Sequence, residues 1–165
     1  LGSTSFDDEG VETQRKALIE EGVLKTFIHN TKTASMMKTR STGNAGWVMP
    51  HIWTLRIPEG DSSLDEMISE IKRGVIITNN WYTRMQNYVE GVFSTIARDA
   101  VFYIENGEVK YPVARIRIAD RLPKLLSNIY LIGSELYDVS WWEVRPAVRA
   151  PFIMAKGINL SRPFD

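Results

Sequence analysis

Apolar and polar positions alternate along much of this chain at the two-residue period of strands. Residues 15–29 read as a β-hairpin: Ala17, Leu18 and Ile19 lead into Glu20-Glu21-Gly22, and Val23, Leu24, Phe27 and Ile28 follow. Gly22 can take the positive φ of a tight turn. A short helix over Lys16–Glu21 is the alternative, but the β-branched and aromatic residues after Gly22 favour strands. Residues 30–50 are polar and irregular, with Gly43, Gly46 and Pro50, and predict a long loop. Over 51–58, Ile52, Thr54 and Arg56 face one way and Trp53, Leu55 and Ile57 the other, the pattern of a half-buried strand.

Ser63-Leu64-Asp65-Glu66 has the form of a capping box. Leu64, Met67, Ile68 and Ile71 then share one helical face, acids lie at the start and Lys72-Arg73 at the end, so a helix is predicted over 63–73 with Gly74 as its stop. Strand patterns follow at Val75–Thr78, Val92–Ala97 and Ala100–Glu105. Asn106-Gly107 marks a hairpin, because both central residues of a type I′ turn need φ > 0. The return strand from Glu108 places Val113, Arg115 and Arg117 opposite Ile116 and Ile118. Asp120 is expected to cap a second short helix with Pro123 in its first turn, an apolar face of Leu122, Leu125, Leu126 and Ile129, and an end at Gly133. Two strands near Val139–Val144 and Phe152–Leu160 close the chain. The fold class this predicts is α+β, mostly β: one domain over 1–165, an antiparallel barrel- or sandwich-like sheet with two short helices.

Composition fits a globular domain of 165 residues, with 44% hydrophobic and 24% charged residues. No apolar run approaches the ~20 residues that cross a bilayer. The absence of cysteine excludes disulfides, thiolate zinc ligands and cysteine nucleophiles. Twenty basic residues balance 20 acidic ones, which argues against nucleic acid as a partner; the basic residues between Lys32 and Arg40 read as a solvated loop. The start, Leu1 to Asp8, is small, polar and acidic without a leader pattern or an initial Met, and reads as the start of a fragment of a longer protein.

Candidate chemistry is sparse. His29 and His51 lie in no His-Glu-x-x-His arrangement and read as structural or solvent-exposed. Asp7-Asp8-Glu9 is contiguous, whereas a calcium loop spaces its oxygen ligands at alternating positions. It reads first as a turn closed by Gly10, second as a hook for a peptide N-terminus or backbone. Ser41-Thr42-Gly43-Asn44-Ala45 lacks the Gly-x-x-x-x-Gly-Lys-Ser/Thr pattern of a phosphate loop. A tight turn at Gly43-Asn44 would expose backbone N–H groups able to hold a peptide carbonyl or carboxylate. No Gly-x-Ser-x-Gly elbow is present. In a strand, Trp141 and Trp142 would point to opposite faces, one ring in the core and the other able to anchor a partner subunit.

Taken in order, Asp7-Asp8-Glu9-Gly10, Leu18 to Lys25, His29, Ser41 to Ala45, Gly60-Asp61-Ser62-Ser63, Met67-Ile68, Lys72-Arg73-Gly74, Phe93-Ser94 and Ile104 to Glu108 resemble the C-terminal domain of the TldD/PmbA family of metallopeptidases; after about residue 130 the similarity fades. The resemblance implies a cytoplasmic, two-region subunit that pairs with an identical or a paralogous one and processes unfolded peptides. It also implies a His-Glu-x-x-x-His zinc helix upstream of this region and a cysteine near the C-terminus as a further ligand. Ser140–Arg149, where that cysteine is expected, has none. No catalytic or metal-binding residue is therefore assigned to this chain, and zinc is an expectation for the full-length parent. The peptide-binding candidates are Asp7, Asp8, Glu9, His29, Gly43 and Asn44, and the interface candidates are Trp141 and Trp142. The function expected is that of a scaffold and peptide-binding domain of a zinc metallopeptidase subunit. The alternative is a metal-free partner that binds peptide and pairs with a catalytic paralogue. A DNA-associated regulator, the role behind the family's label as gyrase modulators, is disfavoured by the neutral charge.

Overall fold

The computed structural model describes residues 2–162. In chain order its strands are β1 (Ile19–Glu20), β2 (Val23–Leu24), β3 (Thr54–Arg56), β4 (Arg73–Asn87), β5 (Val92–Glu105) and β6 (Glu108–Pro112). They continue with β7 (Arg117–Arg121), β8 (Ile129–Ile132), β9 (Tyr137–Val139), β10 (Ala147–Ala150), β11 (Ile153–Ala155) and β12 (Leu160–Ser161). The helices are α1 (Thr31–Met36), α2 (Leu64–Ser69) and α3 (Leu122–Ser127). These elements form two compact units, one of the residues up to Ile57 with Asp138–Arg149, the other of Pro58–Tyr137 with the segment from Ala150 onward.

In the first unit β1 and β2 pair antiparallel around Glu21 and Gly22, at φ 50° and 75°. The expected hairpin is present, with strands of only two residues and Ile19, Val23 and Leu24 exposed. The expected loop over 30–50 is interrupted by α1. Asn30 Oδ1 accepts from Thr33 N–H at 2.9 Å and Thr33 Oγ1 accepts from Asn30 N–H at 3.1 Å. A reciprocal cap with Thr in place of Glu or Gln is a weak signal in sequence, and only Ala34 of this helix is buried. The strand expected over 51–58 shortens to β3, which pairs parallel with β10, and its alternating burial is as expected. Ala34 and Ala45 are the buried apolar residues of this unit, alongside buried Asp7, Asn30 and Asn44, so polar contacts carry much of its centre.

The second unit is built on β4 and β5. The short strands expected at 75–78, 92–97 and 100–105 are parts of one antiparallel pair of 15 and 14 residues. Register shifts at Ile77/Asn79 and Trp81/Arg84, and left-handed φ values at Tyr82 and Asp99, keep the pair continuous through polar positions that broke the sequence pattern. The Asn106-Gly107 turn has φ 51° and 77°, as its type requires. Beyond it the return strand splits into β6 and β7, because Arg115 at φ 60° resets the alternation and turns Val113 inward with Ile116 and Ile118. The sheet runs β12-β7-β5-β4, with β6 also on β5; it stays open and closes no barrel. Among the described residues, Met67 of α2 and Phe93, Ala97, Val101 and Ile104 of β5 are the buried apolar side chains of this unit.

Helix α2 has the predicted capping box, with Glu66 N–H donating to Ser63 Oγ at 3.2 Å and Ser63 N–H to Glu66 Oε2 at 2.7 Å. It ends four residues sooner than expected. Ile71 and Lys72 carbonyls accept instead from Gly107 and Asn106 N–H, and Gly74 is a strand residue rather than a helix stop. Asp120 does not cap α3: Arg121 stands at that N-cap, with no side-chain cap bond. The Asp120 carboxylate is buried and accepts from Lys124 Nζ at 2.8 Å, Asn159 N–H at 2.9 Å and Arg121 N–H at 2.8 Å. It thereby ties α3 to the segment before β12. The strands expected near 139–144 and 152–160 are displaced to β9, β10, β11 and β12, which leaves Trp141 and Trp142 in a turn rather than a strand.

Candidate functional site

Five of the six peptide-binding candidates fall in one hydrogen-bonded cluster of the first unit, and its hub is Asp7. That side chain is 4% exposed. Its Oδ1 accepts from Glu9 N–H at 3.0 Å and Val11 N–H at 2.9 Å, and its Oδ2 from Ala45 N–H at 2.8 Å. Gly10 at φ 76° makes this reversal possible. Burial pushes the Asp7 carboxyl up, but the three N–H groups and the Lys16 charge outweigh it and hold the group below its ordinary value. Burial pulls the Lys16 ammonium down, opposed by Asp7.

The Gly43-Asn44 turn docks on this hub. Lys16 Nζ donates to Thr42 O and, at 2.8 Å, to Asn44 Oδ1. Asn44 Nδ2 donates to His51 O at 2.8 Å, and His51 N–H to Asn44 O at 2.7 Å. A Cβ on Gly43 would lie 2.3 Å from Glu12 O, and its φ is 67°, so only glycine fits. Gly43, Asn44 and Ala45 are buried. The N–H groups expected to be exposed are enclosed by the fold, and the Ala45 N–H is used by Asp7. Glu9 reaches α1, where its Oε2 accepts from Thr31 N–H at 2.8 Å and from the Thr31 hydroxyl. His29 is bound through its backbone to Thr42, and its Nδ1 lies 3.2 Å from Thr33 Oγ1. Asp8 stands apart from these side-chain contacts: its side chain is exposed and its N–H donates to Ala45 O at 3.1 Å.

Beyond this turn, Trp47, Val48 and Met49 are 96%, 80% and 69% exposed, held on a tip closed by the Ala45–Pro50 bridge. Trp142 is 66% exposed, while the Trp141 indole N–H is buried without an acceptor. Trp141 is half-buried rather than in the core, and the two residues lie in a turn rather than in the expected strand.

The described residues do not fit a zinc site. Among the described residues no three His, Cys, Asp or Glu side chains stand together. His29 faces a threonine hydroxyl, and the His51 ring packs edge-on against Trp53 at 4.9 Å.

A second surface, absent from the sequence candidates, lies in the second unit. Among the described residues β4 ends the five-stranded sheet, so one of its edges faces away from β5; Trp81, Tyr82, Thr83 and Arg84 on it make further contacts. The pairs Asn79↔Arg98, Trp81↔Ile96↔Arg117, Arg84↔Ser94↔Ala119 and Val92↔Arg121 put four arginines and Trp81 on one face. Arg98 lies over the Trp81 ring with Cζ 4.4 Å from its centroid, Arg84 over Tyr82 at 4.1 Å, and Arg117 donates to Ser94 Oγ at 3.2 Å. The period-two spacing of Arg117 and Arg121 was the signal in sequence; the register with Arg84 and Arg98 was not readable there.

The sequence profile of the PmbA/TldA metallopeptidase C-terminal domain matches residues 1–162, and so extends past residue 130, where the motif resemblance fades. Metalloprotease PmbA of Escherichia coli O157:H7 is 34% identical over 137 residues, covering 82% of this chain and 29% of that protein. TldE from Thermococcus kodakarensis superimposes with a TM-score of 0.81 at 29% identity, over 96% of this chain and 36% of that one. A Thermotoga maritima structure, described as a candidate modulator of a DNA gyrase, gives a TM-score of 0.81 at 34% identity, over 97% and 36%. The chain thus spans about a third of the length of these relatives. With the profile match and these relatives together, the chain belongs to the PmbA/TldD metallopeptidase family, as its C-terminal domain.

Proposed function

We propose that this chain is the scaffold and peptide-binding domain of a longer, cytoplasmic PmbA/TldD-like subunit that acts on unfolded polypeptide. The observation that carries this reading is the outward edge of β4. Among the described strands β4 ends the sheet, and an extended peptide can join its edge over residues 73–79 through main-chain hydrogen bonds without a fixed sequence, whereas Trp81, Tyr82, Thr83 and Arg84 farther along are already engaged. The Asp7–Lys16–Asn44 cluster serves the scaffold half of the role. Its polar groups are spent on one another, with Asp8 and the His29 ring at its margin. The exposed Trp142 ring offers apolar surface for a second subunit, identical or paralogous.

Hydrolysis itself is assigned to residues outside this chain, with zinc held by the full-length parent. A second reading, a metal-free subunit that binds peptide beside a catalytic paralogue, is favoured by the lack of cysteine in Ser140–Arg149. Incubating the full-length subunit with an unfolded polypeptide, with and without a zinc chelator, separates the two. Chelator-sensitive cleavage is the outcome expected of the first reading. Peptide binding without cleavage moves the assignment to the second, and the absence of both overturns the peptide-binding role.

A further inference from the structure

Resting on the longer-subunit reading above, we infer that the Trp47-Val48-Met49 tip is a docking wedge, seated in the part of the subunit that lies ahead of Leu1 and fastening this domain to it. From Ser41 to Leu55 the sequence carries no Asp, Glu, Lys or Arg, in a chain that is 24% charged. A reversal left to solvent is usually built from polar turn residues, whereas the outermost side chains here are Trp, Val and Met, 96%, 80% and 69% exposed. They leave several hundred Å² of apolar surface in water at one point, the extent that marks an interaction site on a soluble domain. The tip is also built in advance. Gly46 N–H donates to Met49 O at 3.2 Å, and below it His51 N–H donates to Asn44 O at 2.7 Å. A Cβ on Gly46 would stand 2.8 Å from His51 Cβ and 2.9 Å from Met49 O, so the closure needs glycine. A tip held in this way loses little conformational freedom when it docks.

The route by which the chain enters favours this occupant over a separate molecule. The chain spans about a third of the length of its relatives and matches their C-terminal domain, so the remainder of such a subunit joins at Leu1. The entering segment runs along the base of the tip. Asp8 N–H donates to Ala45 O at 3.1 Å and Asp7 Oδ2 accepts from Ala45 N–H at 2.8 Å, at the residue whose bridge to Pro50 closes the tip. Farther back, a Cβ on Gly2 would lie 3.4 Å from Trp53 O. Trp53 follows Pro50 so closely in sequence that the backbone between them spans at most about 11 Å. Phe6, 63% exposed, lies on this route, and all of these residues belong to one compact unit. A segment tethered so near the tip meets it at a high effective concentration, which a separate molecule has to match from solution. The seat it supplies is an apolar pocket with a carbonyl or carboxylate that accepts from the Trp47 indole N–H, because a tryptophan taken out of water pairs that donor.

The test places a photo-cross-linker at the tip of the full-length subunit, as Trp47→p-benzoylphenylalanine, and maps the products by peptide mass spectrometry. An internal cross-link to residues ahead of Leu1, at the mass of a single subunit, is the expected result. In the unsubstituted subunit, peroxide should oxidise Met49 severalfold more slowly in the native protein than in the same chain unfolded in urea, because a covered thioether is shielded from the oxidant. That second measurement needs no variant, so it decides the matter if the substituted chain does not fold. A cross-link between light- and heavy-isotope subunits overturns the inference and assigns the tip to an interface between copies. A cross-link formed only to added unfolded polypeptide overturns it in favour of a substrate contact. Met49 oxidised as fast as in the unfolded chain, or a folded variant that cross-links to nothing beyond its own unit, overturns it outright. An intact mass with no chain ahead of Leu1 overturns the longer-subunit reading as well, whereas a longer chain without the internal cross-link overturns the docking alone. Peptide binding and cleavage enter neither measurement, so their failure would leave this result standing.

Discussion

Asp120 and Asp7 are buried carboxylates that stay charged by different means. Asp7 relies on backbone N–H groups, and Asp120 mainly on Lys124, backed by two N–H groups. The Lys124 bond, against the opposing effect of burial, holds the Asp120 carboxyl at about 2, below its ordinary 3.8. A group whose folded value is depressed contributes stability that is fully present above the unfolded value and lost as pH falls toward the folded one. Acid denaturation should therefore deepen between about pH 4 and pH 2. D120A should remove much of that slope and cost about 3 kcal/mol at neutral pH, because Lys124 and two N–H donors lose their acceptor. Chemical denaturation as a function of pH measures both effects.

Among the elements, α2 shows where local signals suffice. Ser63 and Glu66 bond reciprocally at distances normal for hydrogen bonds. S63A should cost about 1 kcal/mol, seen as a lower denaturation midpoint with an unchanged m-value. The helix start was legible because its cause lies within four residues. Its end was not, since Ile71 and Lys72 carbonyls are satisfied by Gly107 and Asn106, more than 30 residues away. The same division runs through the sheet. The Asn106-Gly107 turn could be read, because its φ requirement is local. The union of three short strand patterns into β4 and β5 could not, because bulges at Tyr82 and Asp99 absorb the breaks in alternation. At the candidate site, Asp7 and Gly43 were singled out from the sequence, but Lys16, which bridges Thr42 and Asn44, was not. A lone lysine in an amphipathic hairpin carries no mark of a partner 28 residues away.

For the molecule as a whole, the two units differ in what holds them. One is centred on Ala34, Ala45 and buried polar side chains; the other buries Met67, Phe93, Val101 and Ile104. Apolar burial contributes roughly 25 cal/mol per Å², and amides under such a core open only with extensive unfolding. Amide hydrogen exchange should therefore be slowest along β5, from Phe93 to Ile104, and faster by about tenfold or more in β1, β2 and α1. Equal protection of α1 and β5 would contradict this division.

The tip at Trp47 has an optical consequence. It is the most solvated of the five tryptophans for which the sequence provides, at 96% exposure, and only Trp142 approaches it. Its indole emits from water and is open to collisional quenchers, whereas Trp53, Trp81 and Trp141 are sheltered. Any molecule that settles on that tip will shift the emission to shorter wavelength and shield it from acrylamide, so the chain carries its own fluorescent reporter of contact without a label.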